Sequence, residues 1–301
     1  KKYRILNFAT AKAIAPNTFG SGVDFSVLPT LSVSQLASYP LGSSTGYITT
    51  NVTTAGVSYL IENGMRREIL DSASLTALLA TPPAVSAISA LHFKSLPLGT
   101  PVIADNNLFK TTDLNNYGLF ISGVYYPMPA ELHSDIKSSP AWRFNKSTGT
   151  LSTASVAKLT QGVKLSNFVT SANGGFLLTA QGKQPVTDVQ NIAAAVNLPN
   201  VVIDKIDAAS SVVLSTPLLV KDSASATSSF LIAGQKSREV FDSSETTKLL
   251  PLAASGVAQV WPKYVISQIA AGPKALAPAS VVKVQESGNI YLIDGFARGL
   301  R

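Results

Sequence analysis

The pattern that decides the fold is Tyr59-Leu60-Ile61-Glu62-Asn63-Gly64-Met65-Arg66-Arg67-Glu68-Ile69. Its three aromatic or aliphatic residues suit a buried strand. The glycine that follows accepts the positive φ of a tight turn without strain. Basic and polar residues then run to an aliphatic end, which is typical of a strand with one solvated face. The stretch therefore predicts a β-hairpin.

The same hairpin pattern returns four more times along the chain. Its third apolar residue recurs every 54–61 residues, at Ile61, Ile121, Leu178, Ile232 and Ile293. A further apolar strand precedes each hairpin, as at residues 47–50 and 218–221. Each repeat therefore predicts a three-stranded antiparallel meander, and five repeats of about 60 residues fill the chain.

Two more elements complete each repeat. A short helix is expected after each hairpin, most clearly over residues 71–80, where Asp71 or Ser72 suits the N-cap and Pro82-Pro83 the end. An apolar stretch before the next meander, such as residues 201–206 or 257–266, predicts a fourth strand that leads into a Pro/Gly turn.

Four strands in each of five sequential repeats predict a mainly β fold, a five-bladed β-propeller with short helices between its blades. One domain over residues 1–301 is expected. Its repeat units run at about 7–69, 70–128, 129–186, 187–240 and 241–301.

Closure of such a ring has two candidate strands. Residues 2–6 resemble residues 66–70, so the N-terminal segment is expected to pair into the last blade. Residues 297–301 match the same return strand, however, which leaves a piece of a longer array open as an alternative. A helix in the slot after the hairpin is expected over residues 7–15.

The hairpin motif resembles a repeat of secreted bacterial cell-surface and cell-wall-associated proteins. In those proteins Tyr-Leu-Ile/Val-Asp-Gly-Gly-Lys-Lys/Arg-x-Ile recurs after a Leu-Val-Lys strand. Residues 59–69 and 291–300 carry the motif most clearly here, with weaker copies between them. The resemblance implies a scaffold fold and a secreted or cell-surface setting, and it implies no reaction.

Composition excludes several classes of protein. The 301 residues are 46% hydrophobic, which is ample for a core, and the 14% of charged residues argues against disorder. The chain has no cysteine and two histidines, so disulfides, thiolate metal sites, a cysteine nucleophile and a two-histidine metalloprotease site are excluded. No metal and no cofactor are expected.

The charge pattern predicts little about partners by itself. The formal net charge is +7, but the basic residues stand singly or in pairs, so no nucleic-acid partner is expected. The sequence contains no uninterrupted apolar stretch of about 18 residues, so no transmembrane segment is expected. Residues 1–4 lead into a short mixed segment, so no signal peptide is expected there. A monomer is expected.

Two groups of residues are candidates for binding. Basic hairpin residues at equivalent positions would array charge towards an anionic polymer; they are Arg66, Arg67, Lys183, Lys236, Arg238 and Arg298. Aromatic residues could stack on sugars; they are Tyr125, Tyr126, Trp142 with Phe144, and Trp261 with Tyr264. A solvated strand face and interior packing are the respective alternatives.

Signals for catalysis are weak. Most acidic residues fall at turn or cap positions that recur between repeats, which leaves Asp105, Asp204 and Asp207 as unassigned carboxylates. No Gly-x-Ser-x-Gly motif occurs, and His92 and His133 fall in a predicted strand and a predicted helix.

We therefore expect a non-catalytic binding module of an exported bacterial protein. Its partner would be a cell-wall polymer, a glycan or a surface protein. Two alternatives stay open: a glycoside hydrolase-like enzyme with carboxylates in the propeller funnel, and a structural spacer domain.

Overall fold

Three-stranded antiparallel meanders recur along the chain in a computed structural model of the protein. The structure describes residues 31–38, 47–50, 57–62, 64–79, 85, 93–94, 96–113, 116–210, 212–225 and 227–293. The fold is mainly β, as predicted. The chain divides into two compact units, Lys1–Pro127 with Asn145–Gly162 and Met128–Phe144 with Val163–Arg301.

The described part of the first unit contains a short helix and one meander before residue 80. The elements are α1 (Val33–Ala37), β1 (Tyr47–Thr50), β2 (Ser58–Glu62), β3 (Met65–Ile69) and α2 (Ser72–Leu78). The strands lie in the order β1-β2-β3 with antiparallel pairing. Leu98 and Val102 pair in parallel with the outer edge of β3.

A second meander in this unit lies in a five-stranded sheet. The elements are β4 (Asn107–Thr111), β5 (Tyr117–Ile121), β6 (Val124–Met128), β7 (Asn145–Leu151), α4 (Thr153–Val156) and β8 (Thr160–Gln161). The order is β7-β4-β5-β6-β8, and both outer strands run parallel to their neighbours.

The second unit contains the third meander. The elements are α3 (Ala130–Ser138), β9 (Phe168–Ser171), β10 (Gly174–Thr179), β11 (Gly182–Val186), β12 (Val196–Asn197) and α5 (Asn200–Ile203). A single turn of 3₁₀ helix, Val189–Asn191, follows the third hairpin, where the sequence predicts a short helix.

The fourth meander and a final hairpin complete the second unit. The elements are β13 (Leu218–Asp222), β14 (Ser229–Ala233), β15 (Lys236–Glu239), α6 (Ser243–Leu249), β16 (Gln259–Trp261), α7 (Lys263–Ile266), β17 (Ala270–Ala271), β18 (Val281–Lys283) and β19 (Ile290–Leu292). The sheet order β16-β13-β14-β15-β17 repeats that of the second meander.

The predicted fourth strand is wrong over residues 201–206, because the chain there forms the helical turn of α5. We call residues 152–162, 199–209 and 262–272 the crossover segments. Each begins with an extended N-cap residue, Ser152, Pro199 or Pro262, and then makes one helical turn. Each segment then pairs in parallel with the last strand of the preceding hairpin.

Two of the crossover segments also cover the hairpin that they follow. In the second unit, Val265, Ile266 and Ile269 pack against the side chains of β13 and β14. In the first unit, Val156 and Leu159 pack with Phe109 and Tyr125. The apolar residues of these segments are thus part of the core. A run of buried β-branched residues is also typical of a strand, which explains the strand prediction.

Two helix caps appear as the sequence predicts. The carboxylate of Asp71 accepts a hydrogen bond from the backbone N–H of Ser74 at 2.7 Å. Asp242 caps α6 in the same way, through the N–H of Glu245 at 3.0 Å. Burial by itself would raise the pKa of Asp71, but hydrogen bonds from Ser147 and Ser74 outweigh it and hold the pKa below its usual value.

The final hairpin differs from its equivalents in exposure. Tyr291 and Leu292 of β19 are 51% and 67% exposed, whereas the equivalent Phe230 and Leu231 of β14 are 7% and 0% exposed. The two strands carry the same apolar pattern. Within the described ranges, nothing covers the apolar side chains of β18 and β19 as the crossover segment covers those of β13 and β14.

Among the described residues the sheets remain separate, and no closed or propeller-like sheet is found. The predicted strands at residues 2–6 and 297–301, and the predicted helix at 7–15, lie outside the described residues.

Candidate functional site

The basic residues of β3 are engaged within the first unit. Arg66 donates from Nη1 to the carbonyl oxygen of Phe93 at 3.0 Å, and its guanidinium lies 4.5 Å from the centroid of that ring. Arg67 bridges Glu62 at 2.8 Å and donates from Nε to the carbonyl oxygen of Thr100 at 2.8 Å. Both side chains brace the hairpin against the chain that follows it.

The basic residues of the second unit have similar roles. Lys183 donates from Nζ to the carbonyl oxygen of Ile203 at 2.8 Å. Arg238 is buried and donates from Nη1 to the carbonyl oxygen of Ala233 at 2.8 Å, and burial lowers its pKa. Lys236 is exposed, and Arg298 lies outside the described residues. Of the basic hairpin residues that the structure describes, Lys236 is thus the one that remains exposed.

Arg67, Tyr126 and Arg238 share one position in the repeats, the third residue after the hairpin turn. A glycine that recurs in the segment after each of these hairpins makes room for the long side chain at that position. A Cβ on Gly99 would lie 3.3 Å from Cγ of Arg67, and one on Gly272 would lie 2.9 Å from Cγ of Arg238. A Cβ on Gly162 would lie 2.7 Å from the ring of Tyr126. The long side chain therefore passes directly over the glycine, where an added Cβ would crowd it. Sequence reasoning missed this pairing, although the spacing within the repeats contains it.

The aromatic candidates other than Tyr264 are core residues. Tyr125, Tyr126, Trp142 and Trp261 are all buried. Trp142 donates from Nε1 to the carbonyl oxygen of Thr179 at 2.8 Å, and the rings of Trp261 and Phe168 lie 6.0 Å apart. Burial, with a smaller contribution from Asp113, raises the pKa of Tyr125 to about 12. In this arrangement the four rings pack the interior and present no open face to a sugar.

Two buried carboxylates act as braces. Glu68 accepts hydrogen bonds from the N–H of Ser152 at 2.9 Å and from the hydroxyls of Ser152 and Ser155 at 2.5 Å. Glu245 accepts from the N–H of Ala277, the hydroxyl of Ser280 and Nζ of Lys248. Burial would raise the pKa of Glu245, but these bonds hold it below its usual value.

The three unassigned acids lie at turns. Asp105 accepts from the N–H of Ser122 at 2.5 Å, and Asp207 bridges Nε of Arg143 at 3.0 Å. Asp204 follows α5 as its C-cap. His133 is buried in α3, and His92 lies outside the described residues. Within the described ranges, no group of three or more His, Asp or Glu side chains could hold a metal ion.

Among the described residues, a cavity of about 470 Å³ in the second unit is the strongest candidate for a binding site. Small-molecule pockets occupy about 300–1,000 Å³. Glu131 in the first turn of α3, Lys164 and Ser166 before β9, and Tyr264, Ser267 and Gln268 of a crossover segment line it. Leu165, Val196 and Pro129 add apolar surface.

Side chains behind the cavity fix its wall. The hydroxyl of Tyr264 donates to Oδ2 of Asp135 at 2.5 Å, and the fully buried Asn167 lies 3.5 Å from it on the other side. Gln268 donates from Nε2 to Oδ1 of Asn167 at 2.6 Å and accepts from Ser166 at 3.0 Å. Burial, and then the bond to Asp135, raise the pKa of Tyr264. The wall is therefore pre-organised, with a neutral phenol at physiological pH.

The cavity joins parts of the sequence that lie far apart. Asp135 and Tyr264 are separated by 129 positions, and Ser166 and Gln268 by 102. From the sequence, Tyr264 is a candidate for stacking on a sugar, together with Trp261. No motif in the sequence links Tyr264 to Asp135, so the cavity itself is found only in the fold.

Within the part of the chain that the structure describes, no helix is both long and apolar enough to cross a bilayer. No protein-family model matches the chain, and no curated protein is similar enough to it to indicate a relationship.

Proposed function

We propose that the chain is a non-catalytic binding module of an exported bacterial protein, and that it attaches to a glycan of the cell wall or cell surface. The observation that carries this proposal is the composition of the cavity. Of the described residues that line it, Glu131 alone has a carboxylate, beside several neutral hydrogen-bonding groups and an aromatic ring. Glycosidases use two carboxyl groups, about 5–10 Å apart.

The other acids support a binding role over hydrolysis. Glu68 and Glu245 are saturated with hydrogen bonds, and Asp135 holds the hydroxyl of Tyr264. A catalytic carboxyl group must lie within hydrogen-bond reach of the substrate, and these carboxylates are engaged with groups of the protein instead. The secreted or cell-surface setting is part of the same proposal and rests on the resemblance of the hairpin motif to repeats of exported proteins.

Retention of the purified chain on Gram-positive cell walls tests this function. We expect saturable retention that survives about 0.5 M salt, where the screening length falls to a few ångströms. The reason is that the basic hairpin residues are engaged internally, which leaves neutral contacts to bind the wall. Walls stripped of teichoic acid serve as the control and should retain the chain equally.

Three other results would each change the proposal. Loss of retention by 0.5 M salt would assign binding to the remaining exposed charges. Release of soluble sugar from the walls would support the hydrolase alternative. Absence of retention on every wall fraction would leave the structural spacer.

A five-bladed propeller is the architecture that belongs to this proposal. Its support is an eleven-residue pattern with five copies. The pattern begins with Ser or Pro, has an aliphatic or aromatic residue at its fifth and eighth positions, and ends with Gly or Ala. The copies are residues 32–42, 89–99, 152–162, 199–209 and 262–272. The last four follow a meander, whereas residues 32–42 precede the first one. The uncovered hairpin of β18 and β19 would take this remaining segment as its cover.

Amide hydrogen exchange of a full-length variant tests the ring. Leu36→Asp places a charge at the position that Val156, Ile203 and Ile266 occupy as core residues. We expect faster exchange in β18 and β19, with β13–β15 unchanged. Leu31→Asp, at an exposed residue outside the pattern, is the matched control. Equal exchange in both variants would contradict closure by this segment.

A further inference from the structure

The cavity beside Tyr264 carries information about its ligand, and this inference rests on the proposed function. Its charged residues are one acid and one base, Glu131 and Lys164, both exposed at its lining. The charges of these two lining residues cancel, and the carboxylate of Asp135 lies behind Tyr264, so the cavity offers no net attraction to an anion. A phosphate or sulfate ligand would meet a carboxylate with the same sign of charge, which disfavours it.

The remaining surface of the cavity is amphipathic. Val196 and the ring of Tyr264 provide apolar area, and Ser166, Ser267 and Gln268 provide neutral hydrogen-bonding groups. These groups bond within the protein, but the acceptor lone pairs of Ser267 and the second amide hydrogen of Gln268 are left for a ligand or for water. A purely apolar ligand would displace that water without replacing its hydrogen bonds, at a cost in affinity. A pyranose ring matches both kinds of surface, because its C–H face is apolar and its edge carries hydroxyl groups.

Tyr264 has the features of a stacking platform. Its hydroxyl is tied to Asp135 and lies beside Asn167, so the ring cannot swing away, and its hydrogen-bonding capacity is used within the protein. What the side chain can offer a ligand is therefore the hydrophobic surface of the ring. Little side-chain entropy is lost on binding because the ring is already fixed.

We infer that this cavity binds an uncharged pyranose unit of a surface polysaccharide, with the ring of Tyr264 as its stacking platform. Gln268 and Ser166 contact the hydroxyl edge of the sugar. The cavity volume of about 470 Å³ exceeds the need of one small ring and leaves room for part of a neighbouring unit of the polymer.

Calorimetric titration of the full chain with soluble oligosaccharides tests the inference. The probes are hexamers of glucose and of N-acetylglucosamine, with inorganic phosphate as the charged comparison. We expect one of the hexamers to bind and phosphate not to bind. Tyr264→Ala should weaken hexamer binding about ten-fold or more, whereas Tyr264→Phe, which keeps the ring, should stay within about three-fold of the original chain.

A second variant guards against a folding defect, because Tyr264 also packs against the core of its unit. Ser267 is exposed and lines the cavity, so Ser267→Trp fills the cavity from its surface side. This variant should abolish hexamer binding with an unchanged melting temperature. Thr247→Trp, on the exposed face of α6, is the matched control and should bind normally.

Each outcome has a definite meaning. Loss of binding in Tyr264→Ala and Ser267→Trp, with retention in Tyr264→Phe and Thr247→Trp, supports the inference. Unchanged binding in Ser267→Trp, or binding of phosphate in place of a hexamer, overturns it. If neither hexamer binds while cell walls still retain the chain, the ligand assignment is wrong and the proposed function stands. If both fail, the proposed function fails as well.

Discussion

Replacement of Trp142 by alanine is expected to lower the free energy of unfolding by about 3–5 kcal/mol. The side chain is 1% exposed, packs beside Phe144, and donates a hydrogen bond to the carbonyl oxygen of Thr179. Alanine would leave a large cavity and a buried carbonyl without its partner. Chemical denaturation of the purified chain, followed by circular dichroism, measures the change.

Trp142→Phe is the matched control for the hydrogen bond. Phenylalanine keeps an aromatic ring but donates no hydrogen bond, so we expect a smaller loss of about 1–3 kcal/mol. If Trp142→Ala kept full stability and lost wall binding instead, the residue would be a ligand platform and its interior role would be wrong. The same comparison decides between the two interpretations of the residue that the sequence leaves open.

The second large effect is expected for Gly182→Ala. Gly182 has φ +122°, a conformation that residues with a side chain rarely adopt, and an added Cβ would lie 2.3 Å from the carbonyl oxygen of Asp207. Backbone strain and overpacking each cost about 1–3 kcal/mol. We therefore expect a total loss of about 4 kcal/mol in the free energy of unfolding, measured by the same denaturation experiment.

Gly64→Ala is the control for strain alone. Gly64 has φ +76° and open space around the position of an added Cβ, so only the left-handed backbone is penalised, by about 1–2 kcal/mol. Losses of equal size at the two glycines would show that Asp207 moves aside and that the contact costs little. The sequence pattern predicts a turn at Gly64 and another at Gly295, and the latter lies outside the described residues.

The meanders were predictable because their signals are local. Alternation, a turn glycine and an apolar triplet all lie within about a dozen residues, and the pairing of Leu60 with Arg67 follows from the turn. The cap at Asp71 was predictable for the same reason, since an N-cap residue contacts a residue three positions away.

The strand prediction for the crossover segment at residues 201–206 was wrong because a buried strand and a buried helical turn can have the same apolar, β-branched composition. Residues 201–206 contain β-branched and apolar side chains that suit a buried strand, yet Pro199 starts a helical turn there. The binding cavity could not be predicted from local pattern at all. Tyr264 contributes to it only because Asp135 and Asn167, from two other parts of the chain, hold its hydroxyl.

The parallel flanking strands of the complete sheets have a consequence for how such a chain evolves. β16 and β17, the two edges of one five-stranded sheet, are three and two residues long, and β8, at one edge of the other five-stranded sheet, is two residues long. Edges this short cannot recruit a strand from another molecule, so a repeat that ends in one is protected there against amyloid-like growth. Duplication or loss of such a repeat would change the length of the array without exposing a long unpaired strand edge there. The number of repeats could therefore vary under selection.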